Sequence, residues 1–397
     1  MGDPPLTGLR LLDLSHNLAG PLTAMHLADL GAEVIKVERP EGDEWREHER
    51  IPGHPGRSRH YVQANRGKRA VCLDLTREPA REVLRALIAR ADVLVTNMRP
   101  GVPERLGFGW EQARALNPGL VYCAISAFGQ EGPRGGRAGY DILGEALGGF
   151  MPPSAAPDGH APQPSPIPIN DTALPLLACT GILAALIERG RTGRGQRVDA
   201  SILGTAVALN AHALVRVERL PEHGTRTFSR AFYRAYRTAD GWIAVGAYAE
   251  RLARRLCATL GLPDLLDGPP FDDRAARVER EAELTELLAP RFLERTTDAW
   301  DRALADAGVP AAPARERDEL FDDPQVRALG LVEEVEDAEL GALTMTAPVV
   351  RLSETPARIG TPGRHLGADT REVLAGLGLC AEEIARLLAD GSAVAAG

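Results

Sequence analysis

Long hydrophobic runs, a surplus of basic residues and paired cysteines are all missing from this 397-residue sequence. The longest apolar stretch is residues 173–187, which is interrupted by Pro175 and is shorter than the roughly 18 residues needed to span a bilayer. The 46 basic and 55 acidic side chains give a net charge of −9, the wrong sign for a dedicated nucleic-acid or anionic-membrane binder. We therefore expect a small-molecule partner, no nucleic acid and no membrane.

The cysteines and the N-terminus indicate the compartment. The 5 cysteines are scattered and form no C-x-x-C pair, a pattern typical of buried thiols rather than of a disulfide framework or a zinc site. The first residues lack a basic n-region, and Asp3 stands where a signal peptide carries positive charge. These features predict a soluble cytoplasmic protein.

Short aliphatic runs alternate with amphipathic stretches over the first two hundred residues, which is typical of βαβ units. Because parallel strands need crossovers that cover both sheet faces, this alternation predicts an α/β fold with a doubly wound, mainly parallel sheet. A proline-rich loop is expected at 152–168, followed by a long buried helix that begins near Asn170 and ends at Gly190. The predicted strands are residues 9–14, 33–37, 70–75, 92–96 and 120–126.

Several familiar cofactor and nucleophile motifs are absent. The turn after the first strand, SHNLAGP at 15–21, has only Gly20 where a dinucleotide-binding fold has G-x-G-x-x-G, which disfavours NAD or FAD. The sequence contains no P-loop, no G-x-S-x-G elbow and no H-E-x-x-H spacing among its 9 histidines. We therefore expect no metal, no serine nucleophile and no permanently bound cofactor.

Basic residues recur near the predicted strand ends. In a doubly wound fold the carboxyl ends of the strands share one rim, so these side chains either converge on a polyanion such as a phosphorylated nucleotide or form a solvated arginine surface. They are Arg39, Arg66, Lys68, Arg69, Arg99 and Arg105.

Two acidic positions are candidates for chemistry. Asp171 lies where the proline-rich loop meets the apolar helix, so it is either a helix N-cap or a carboxylate that acts as nucleophile or base. Tyr140 and Asp141 form a second polar pair that opens a helix, with the same two readings.

Several segments together resemble the family III CoA-transferases, the group that includes formyl-CoA transferase, carnitine CoA-transferases and α-methylacyl-CoA racemases. Among them are NRGKRAVCLDL at 65–75, NMRPGVPERLGFGW at 97–110 and AGYDILGEALGG at 138–149. The others are residues 9–43, 117–133, 181–202 and 236–247. Their order and spacing cover most of the first 250 residues.

The resemblance implies a covalent mechanism on Asp171, which takes the place of the family's catalytic aspartate. Its carboxylate would attack an acyl-CoA thioester, and the exchange would pass through an aspartyl anhydride and an aspartyl-CoA thioester to a free carboxylic acid. Tyr140 and Asp141 would line the acyl site, and backbone amides at the start of the Asp171 helix are candidate oxyanion donors. The implied contacts to CoA are His16, Ala19, Arg39, Lys68, Arg69, Asn97, Arg105 and Arg137.

Two alternatives stay open beside transfer. Racemases of this family carry a histidine base in a Gly-His-Asp stretch, whereas this sequence has Tyr140, a poor base at neutral pH. Residues 236–247 nevertheless resemble the racemases, so a 2-methylacyl-CoA racemase is one alternative. Pro175, expected in the first helical turn, stands where the family usually has glycine, so an inactive CoA-binding homologue is the other. Neither the CoA donor nor the acceptor acid follows from the sequence.

The family fold implies an interlocked homodimer of ring-shaped chains. Residues 1–205 would form the first part of a large CoA-binding domain, and 206–225 a linker. A smaller α+β domain would span 226–325, and 326–397 would return to the large domain.

Overall fold

The computed structural model describes residues 2–153, 160–218 and 228–396. Residues 154–159 of the predicted proline-rich loop lie outside the described residues, as do residues 219–227, which belong to the predicted linker and the start of the predicted small domain. The chain falls into two compact units. The larger comprises Met1–Val215 with Arg327–Gly397, and the smaller comprises Arg216–Val326.

Twelve strands occur in the part of the chain that the structure describes. They are β1 (Arg10–Asp13), β2 (Glu33–Glu38), β3 (Lys68–Leu73), β4 (Val93–Thr96), β5 (Val121–Ser126), β6 (Arg197–Ser201), β7 (Tyr233–Arg237), β8 (Trp242–Gly246), β9 (Ala311–Pro313), β10 (Val332–Asp337), β11 (Gly341–Thr346) and β12 (Ala393–Val394).

Fifteen α-helices accompany them within the same described ranges. They are α1 (Ala19–Asp29), α2 (Arg59–Ala64), α3 (Glu78–Ile88), α4 (Val102–Leu106), α5 (Trp110–Leu116), α6 (Asp141–Leu147), α7 (Ile169–Thr192), α8 (Ile202–Leu209), α9 (Glu250–Thr259), α10 (Arg274–Glu279), α11 (Glu281–Phe292), α12 (Thr297–Asp306), α13 (Pro324–Ala328), α14 (Thr370–Gly376) and α15 (Ala381–Ala389).

A seven-stranded sheet in the order β12-β3-β2-β1-β4-β5-β6 forms the centre of the larger unit. Six of its strands run parallel, with Leu12 beside both Ile35 and Leu94 in the register. Only β12 is antiparallel, where it pairs with β3 at one edge. The predicted α/β class with a mainly parallel sheet is confirmed, and the returning C-terminal strand adds the edge.

Helices cover both faces of this sheet, because successive residues of each buried strand point to opposite sides. Leu12 packs on one face with residues of α3, α14 and α15, such as Leu84 and Leu374. Leu11 packs on the other face with residues of α1 and α7, such as Leu27 and Ile182. The apolar strand runs seen in the sequence are therefore buried on both sides.

Helix α7 differs from the prediction at its C-terminal end. It continues past Gly190 to Thr192 and ends where Gly193 adopts a left-handed φ of +70°, a conformation that glycine reaches without strain. The next helix, α8, spans Ile202–Leu209 and begins directly after β6. Among the described residues, α7 is the one helix long and apolar enough to cross a bilayer by length and composition, although one of its faces packs on the sheet.

The smaller unit is built around an antiparallel hairpin. β7 and β8 pair antiparallel from Arg237 and Trp242 outward, and the TADG turn closes with a bond from Thr238 N–H to the Gly241 carbonyl. β9 pairs with β8 as the third strand. Helices α9, α11 and α12 supply the rest of a separate core, in which the rings of Tyr236 and Phe292 stack at 4.4 Å.

Candidate active site

A cavity of about 150 Å³ lies beyond the carboxyl ends of β1, β4 and β5. The strand order reverses between β1 and β4, so the connections leave the sheet in opposite directions there and open a crevice where ligands bind in such folds. The cavity brings together six of the predicted site residues: His16, Ala19, Asn97, Arg137, Tyr140 and Asp171.

The loop after β1 forms one wall of this cavity and is fastened through its backbone. The side chain of Asn97 accepts a hydrogen bond from His16 N–H at 2.9 Å and donates one to the His16 carbonyl at 2.7 Å. Asn17 adopts a left-handed φ of +64°, and its N–H donates to Asp43 at 3.1 Å. Asn97 therefore fixes the position of His16, in addition to lining the cavity itself.

A buried group of charges, which sequence reasoning missed, lies beneath this loop. It contains both lysines of the chain: Lys68 Nζ is 2.8 Å from Asp13, and Lys36 Nζ is 3.3 Å from Asp43 while donating to the Ser15 carbonyl at 2.9 Å. Burial alone would raise the pKa of Asp13, but the two lysines hold it at about 2. Burial lowers the pKa of Lys68 to about 8 despite its bond to Asp13. The scarcity of lysine elsewhere was the one available signal for this group.

The loop after β1 packs closely against α1, which starts directly after it. A Cβ on Gly20 would lie 2.2 Å from the Cβ of Ser15, closer than real atoms approach. The only glycine of the SHNLAGP turn therefore serves close packing between the loop and α1.

Lys68 and Arg69 do not reach the cavity. Both stand at the start of β3, whereas the cavity lies beyond the carboxyl ends of the strands. Lys68 is buried in the charged group described above, and Arg69 pairs with Glu33 at 3.1 Å and with Glu372 at 3.0 Å. Arg66 is likewise buried in an ion pair with Asp29. The prediction that these residues lie at the carboxyl ends of the strands is therefore wrong, because they lie at or just before the start of β3.

A second cavity of about 480 Å³ adjoins the first and shares His16 and Met98 with it. Arg39 lines it. Arg105 is exposed on α4 and does not line it, although Val102 and Leu106 of the same helix do. Arg39 forms exposed ion pairs with two neighbouring glutamates. The predicted convergence of basic residues is therefore not found among the residues that the structure describes. Arg99 lines the first cavity and Arg39 the second, while Arg66, Lys68 and Arg69 form ion pairs elsewhere. The second cavity is also lined by carboxylates, namely Glu38, Glu41, Asp43, Glu44 and Asp74.

Asp171 is the third residue of α7, and its side chain lines the first cavity. It does not cap the helix. Two amides of the first turn of α7, those of Asn170 and Asp171, donate to Asp141 Oδ1 at 2.7 and 2.9 Å. The N-cap reading of Asp171 is therefore wrong, because Asp141 from α6 satisfies these donors. Because these two amides already donate to Asp141, the expectation that they serve as oxyanion donors is also wrong.

The pKa of Asp171 is raised to about 7, first by burial and second by the charge of Asp141. A carboxyl with this pKa is half ionised near neutral pH, and it retains more basicity than an ordinary aspartate. Strong shifts of this kind cluster at functional sites.

Tyr140 and Asp141 separate into two roles. Tyr140 precedes α6, lines the cavity and is 65% exposed. Asp141 is buried and faces the amides of α7. The predicted pair therefore supplies one residue to the cavity surface and one that holds the helix of Asp171 in place.

Pro175 is the seventh residue of α7, so the expectation that it lies in the first turn is wrong. At this position its ring replaces the amide that would donate to the carbonyl of Asp171, four residues earlier. Pro175 therefore removes the helical partner of the main-chain carbonyl of the candidate nucleophile.

One cluster of metal-ligand side chains occurs among the described residues, although none was expected from the sequence. The ligand atoms of His48, Glu49 and His60 all lie within 4.8 Å of one another, and Trp45 packs against both imidazole rings. His48 and Glu49 are exposed, and exposed acidic groups are common without an ion. The cluster is separate from the cavity that holds Asp171.

Comparison with known proteins gives a consistent result. CoA-transferase family III matches residues 6–370. The chain is 35% identical over 378 residues to the succinyl-CoA:glutarate CoA-transferase of Homo sapiens, covering 93% of this chain and 85% of that protein. It is 36% identical over 396 residues to the succinyl-CoA--D-citramalate CoA-transferase of Chloroflexus aurantiacus, covering 97% of each. The crystal structure of a CAIB/BAIF family protein from Brucella suis superposes with a TM-score of 0.81 at 31% identity, covering 95% of this chain and 100% of that one.

Proposed function

Because this chain belongs to CoA-transferase family III, we propose that it moves CoA from an acyl-CoA thioester to a free carboxylic acid through covalent intermediates on Asp171. The observation that carries the proposal is the carboxyl of Asp171, which lines the cavity at the switch point with a pKa of about 7. A nucleophilic carboxylate must be ionised to attack and basic enough to form a bond, and this pKa meets both needs near neutral pH.

The proposed reaction balances without an external acid or base. The Asp171 carboxylate attacks the thioester carbonyl, the C–S bond breaks, and CoA leaves as its thiolate from a mixed anhydride. The thiolate then attacks the Asp171 carbonyl carbon, which releases the donor acid as a carboxylate and leaves an aspartyl-CoA thioester. The acceptor carboxylate attacks that thioester to form a new anhydride and free the thiolate. The thiolate finally attacks the acceptor's acyl carbon, which yields the new acyl-CoA and restores the Asp171 carboxylate.

CoA itself would occupy the second cavity, with its thiol end entering the first past His16. This placement rests on the shared lining of the two cavities and on the position of Arg39 in the second. Its acidic lining implies that the nucleotide phosphates bind near Arg39 and Arg105, at the edge of the cavity.

The acceptor is proposed to be a small dicarboxylic acid. The named relatives act on glutarate or D-citramalate, and Arg99 and Arg137 both line the first cavity. A guanidinium there can bind the second carboxylate of such an acid while the first one reacts.

The family resemblance also led us to propose an interlocked homodimer. The support for it is the apolar surface left open on the larger unit, where Leu176, Ile187 and Val207 are 55%, 63% and 47% exposed. Exposed apolar side chains on neighbouring helices are typical of a surface that another chain covers. We also keep the proposal of a cytoplasmic enzyme, which agrees with cysteines that are all free.

The first experiment traps the covalent intermediate. The protein is incubated with succinyl-CoA and a panel of other acyl-CoA thioesters, quenched with hydroxylamine, and examined by intact-mass and peptide mass spectrometry. We expect a hydroxamate on Asp171 that is absent in Asp171→Ala and present in Glu188→Ala, a matched change at an exposed carboxylate of the same helix.

Two results would contradict the proposal. Exchange of the α-proton with deuterium in the absence of any adduct would indicate the racemase instead. Binding of acyl-CoA with neither an adduct nor exchange would indicate an inactive homologue.

A further inference from the structure

Two histidines and one glutamate that the proposed chemistry does not use lie close together between β2 and α2. His48 and Glu49 are on the connecting loop, and His60 is on α2. Their ligand atoms all lie within 4.8 Å of one another, and His60 Nε2 is 3.1 Å from Glu49 Oε2. The centroids of the two imidazole rings are 5.2 Å apart. Two imidazoles bound to one tetrahedral zinc ion through nitrogen have centroids about 5 Å apart, so the cluster has the dimensions of a site for one ion.

A buried ring nitrogen of this cluster lacks a partner. The Nε2 atom of His60 is inaccessible to solvent and has no hydrogen-bond partner among the residues that the structure describes. Glu49 Oε2 lies close enough to it for an ion pair, yet outside hydrogen-bond geometry. Buried polar atoms are nearly always satisfied, so this nitrogen needs an explanation. A cation bound to both atoms would satisfy the nitrogen and the carboxylate together.

The backbone turns at Glu49 in a way that gathers the ligands. Side chains of consecutive residues in an extended chain point to opposite sides. Glu49 has a left-handed φ of +51°, and its carboxylate and the imidazole of His48 reach the same point. Residues other than glycine adopt this conformation only where the surrounding structure holds them in it. Two neighbouring residues therefore supply two of the three ligands.

The loop that carries the ligands is closed without any ion. Arg50 forms a β-bridge with Ser58, and the N–H of Ile51 donates to the Arg57 carbonyl at 2.9 Å. The ring of Trp45 packs against both imidazoles, with centroids at 5.4 and 4.9 Å. Because the ligands are already held near one another, binding an ion would order few additional groups.

We propose that His48, Glu49 and His60 bind one divalent transition-metal ion of the zinc class. Imidazole nitrogen and carboxylate oxygen suit this class, and two histidines with one carboxylate leave the fourth tetrahedral position to water. Magnesium and calcium prefer sites made of oxygen ligands alone and are not expected here. The ion would link residues 48 and 49 to residue 60 and so stabilise the loop between them, without taking part in CoA transfer.

The first test measures zinc binding to the full chain. The protein is freed of metal with EDTA, exchanged into chelator-free buffer, and titrated with zinc chloride in a calorimeter. We expect one ion per chain, and we expect His48→Ala and His60→Ala each to weaken binding by at least about tenfold. His54→Ala removes a histidine of the same loop that lies outside the cluster, so it should leave the affinity unchanged. Because His48 is exposed, its replacement should not disturb folding.

Two further measurements identify the ligands and the effect on stability. X-ray absorption at the zinc edge should show two imidazole nitrogens at about 2.0–2.1 Å together with oxygen ligands. Zinc should raise the melting temperature of the wild type by about 2 °C or more and should leave that of His48→Ala unchanged. Magnesium at the same concentration should have no effect, and an equal response to magnesium would overturn the assignment to the zinc class.

Several results would overturn the site itself. The wild type would show no zinc binding, or binding would survive in both His48→Ala and His60→Ala, which would place the ion elsewhere on the chain. An equal loss of affinity in His54→Ala would do so as well, because it would show that any histidine of the loop contributes. None of these measurements uses CoA, so their outcome is independent of whether an adduct forms on Asp171.

Discussion

Replacing Asp171 with asparagine should stabilise the protein at alkaline pH while abolishing transfer. The folded-state pKa of about 7 lies above the value of 3.8 for an ordinary aspartate, so the folded state binds this proton more tightly than the unfolded state does. The stability connected with Asp171 is therefore complete below pH 3.8 and is lost as the pH rises to about 7. Asparagine does not titrate and escapes this loss.

The size of the effect follows from the two pKa values. At about 1.36 kcal/mol per pKa unit, the loss amounts to roughly 1.7 kcal/mol at pH 5 and roughly 4.3 kcal/mol at pH 8.5. The difference between these two pH values is about 2.6 kcal/mol. Because Asp171 lines a cavity that water enters, we expect about half of that, or 1 to 2 kcal/mol.

The assay compares melting temperatures of Asp171→Asn and wild type at pH 5 and pH 8.5, so that titrating groups that do not interact with Asp171 cancel in the double difference. The melting temperature of Asp171→Asn relative to the wild type should be higher at pH 8.5 than at pH 5 by about 2 °C or more. Asp3→Asn, a change at an exposed residue of the same unit, should show no such gain. An equal effect of Asp171→Asn at both pH values would refute the raised pKa and with it the account of the nucleophile.

Three further changes test the surroundings of the site. Gly20→Ala should force the loop after β1 away from α1, lowering stability by about 1 to 3 kcal/mol in thermal or denaturant unfolding, and unchanged stability would contradict the close approach to Ser15. Asn97→Ala removes both hydrogen bonds to the His16 backbone and should raise the KM for acyl-CoA about tenfold in steady-state assays, at a cost of about 1 to 3 kcal/mol. An unaltered KM would show that the loop needs no such support. Ile187→Arg places a charge on the exposed apolar face of α7 and should convert a dimer to monomer or aggregate in light scattering after gel filtration, whereas an intact dimer would show that this face is not at the interface.

Much of the larger unit could be predicted because its signals are local. The buried strands read as continuous aliphatic runs, and the positions of β1, β2, β4 and β5 depart from the predicted ones by one residue or so at each end. The predicted β3 begins two residues too late, because its first residues, Lys68 and Arg69, resemble a polar turn. Periodicity alone cannot show that a lysine at a strand start is buried against an aspartate from another strand.

The candidate site, too, could be predicted only in part from the sequence. The resemblance singled out Asp171, Tyr140, His16, Asn97 and Arg137, and the structure brings all five to one cavity. The sequence could not show that Asp141 turns toward the α7 amides, because the two residues are 30 positions apart and meet only when α6 packs on α7. Pro175 falls beyond the first turn because α7 starts at Ile169, two residues before Asp171.

By itself the sequence determined the class of fold, the alternation of strands and helices, and the identity of the candidate nucleophile, since these depend on hydrophobic periodicity and on motifs written in consecutive residues. Only the tertiary structure decided which charges are buried together, which amides are free, and how far the pKa of Asp171 departs from normal. These properties arise from desolvation and from distances between groups far apart in the chain, such as Asp13 with Lys68 and Asp141 with Asp171.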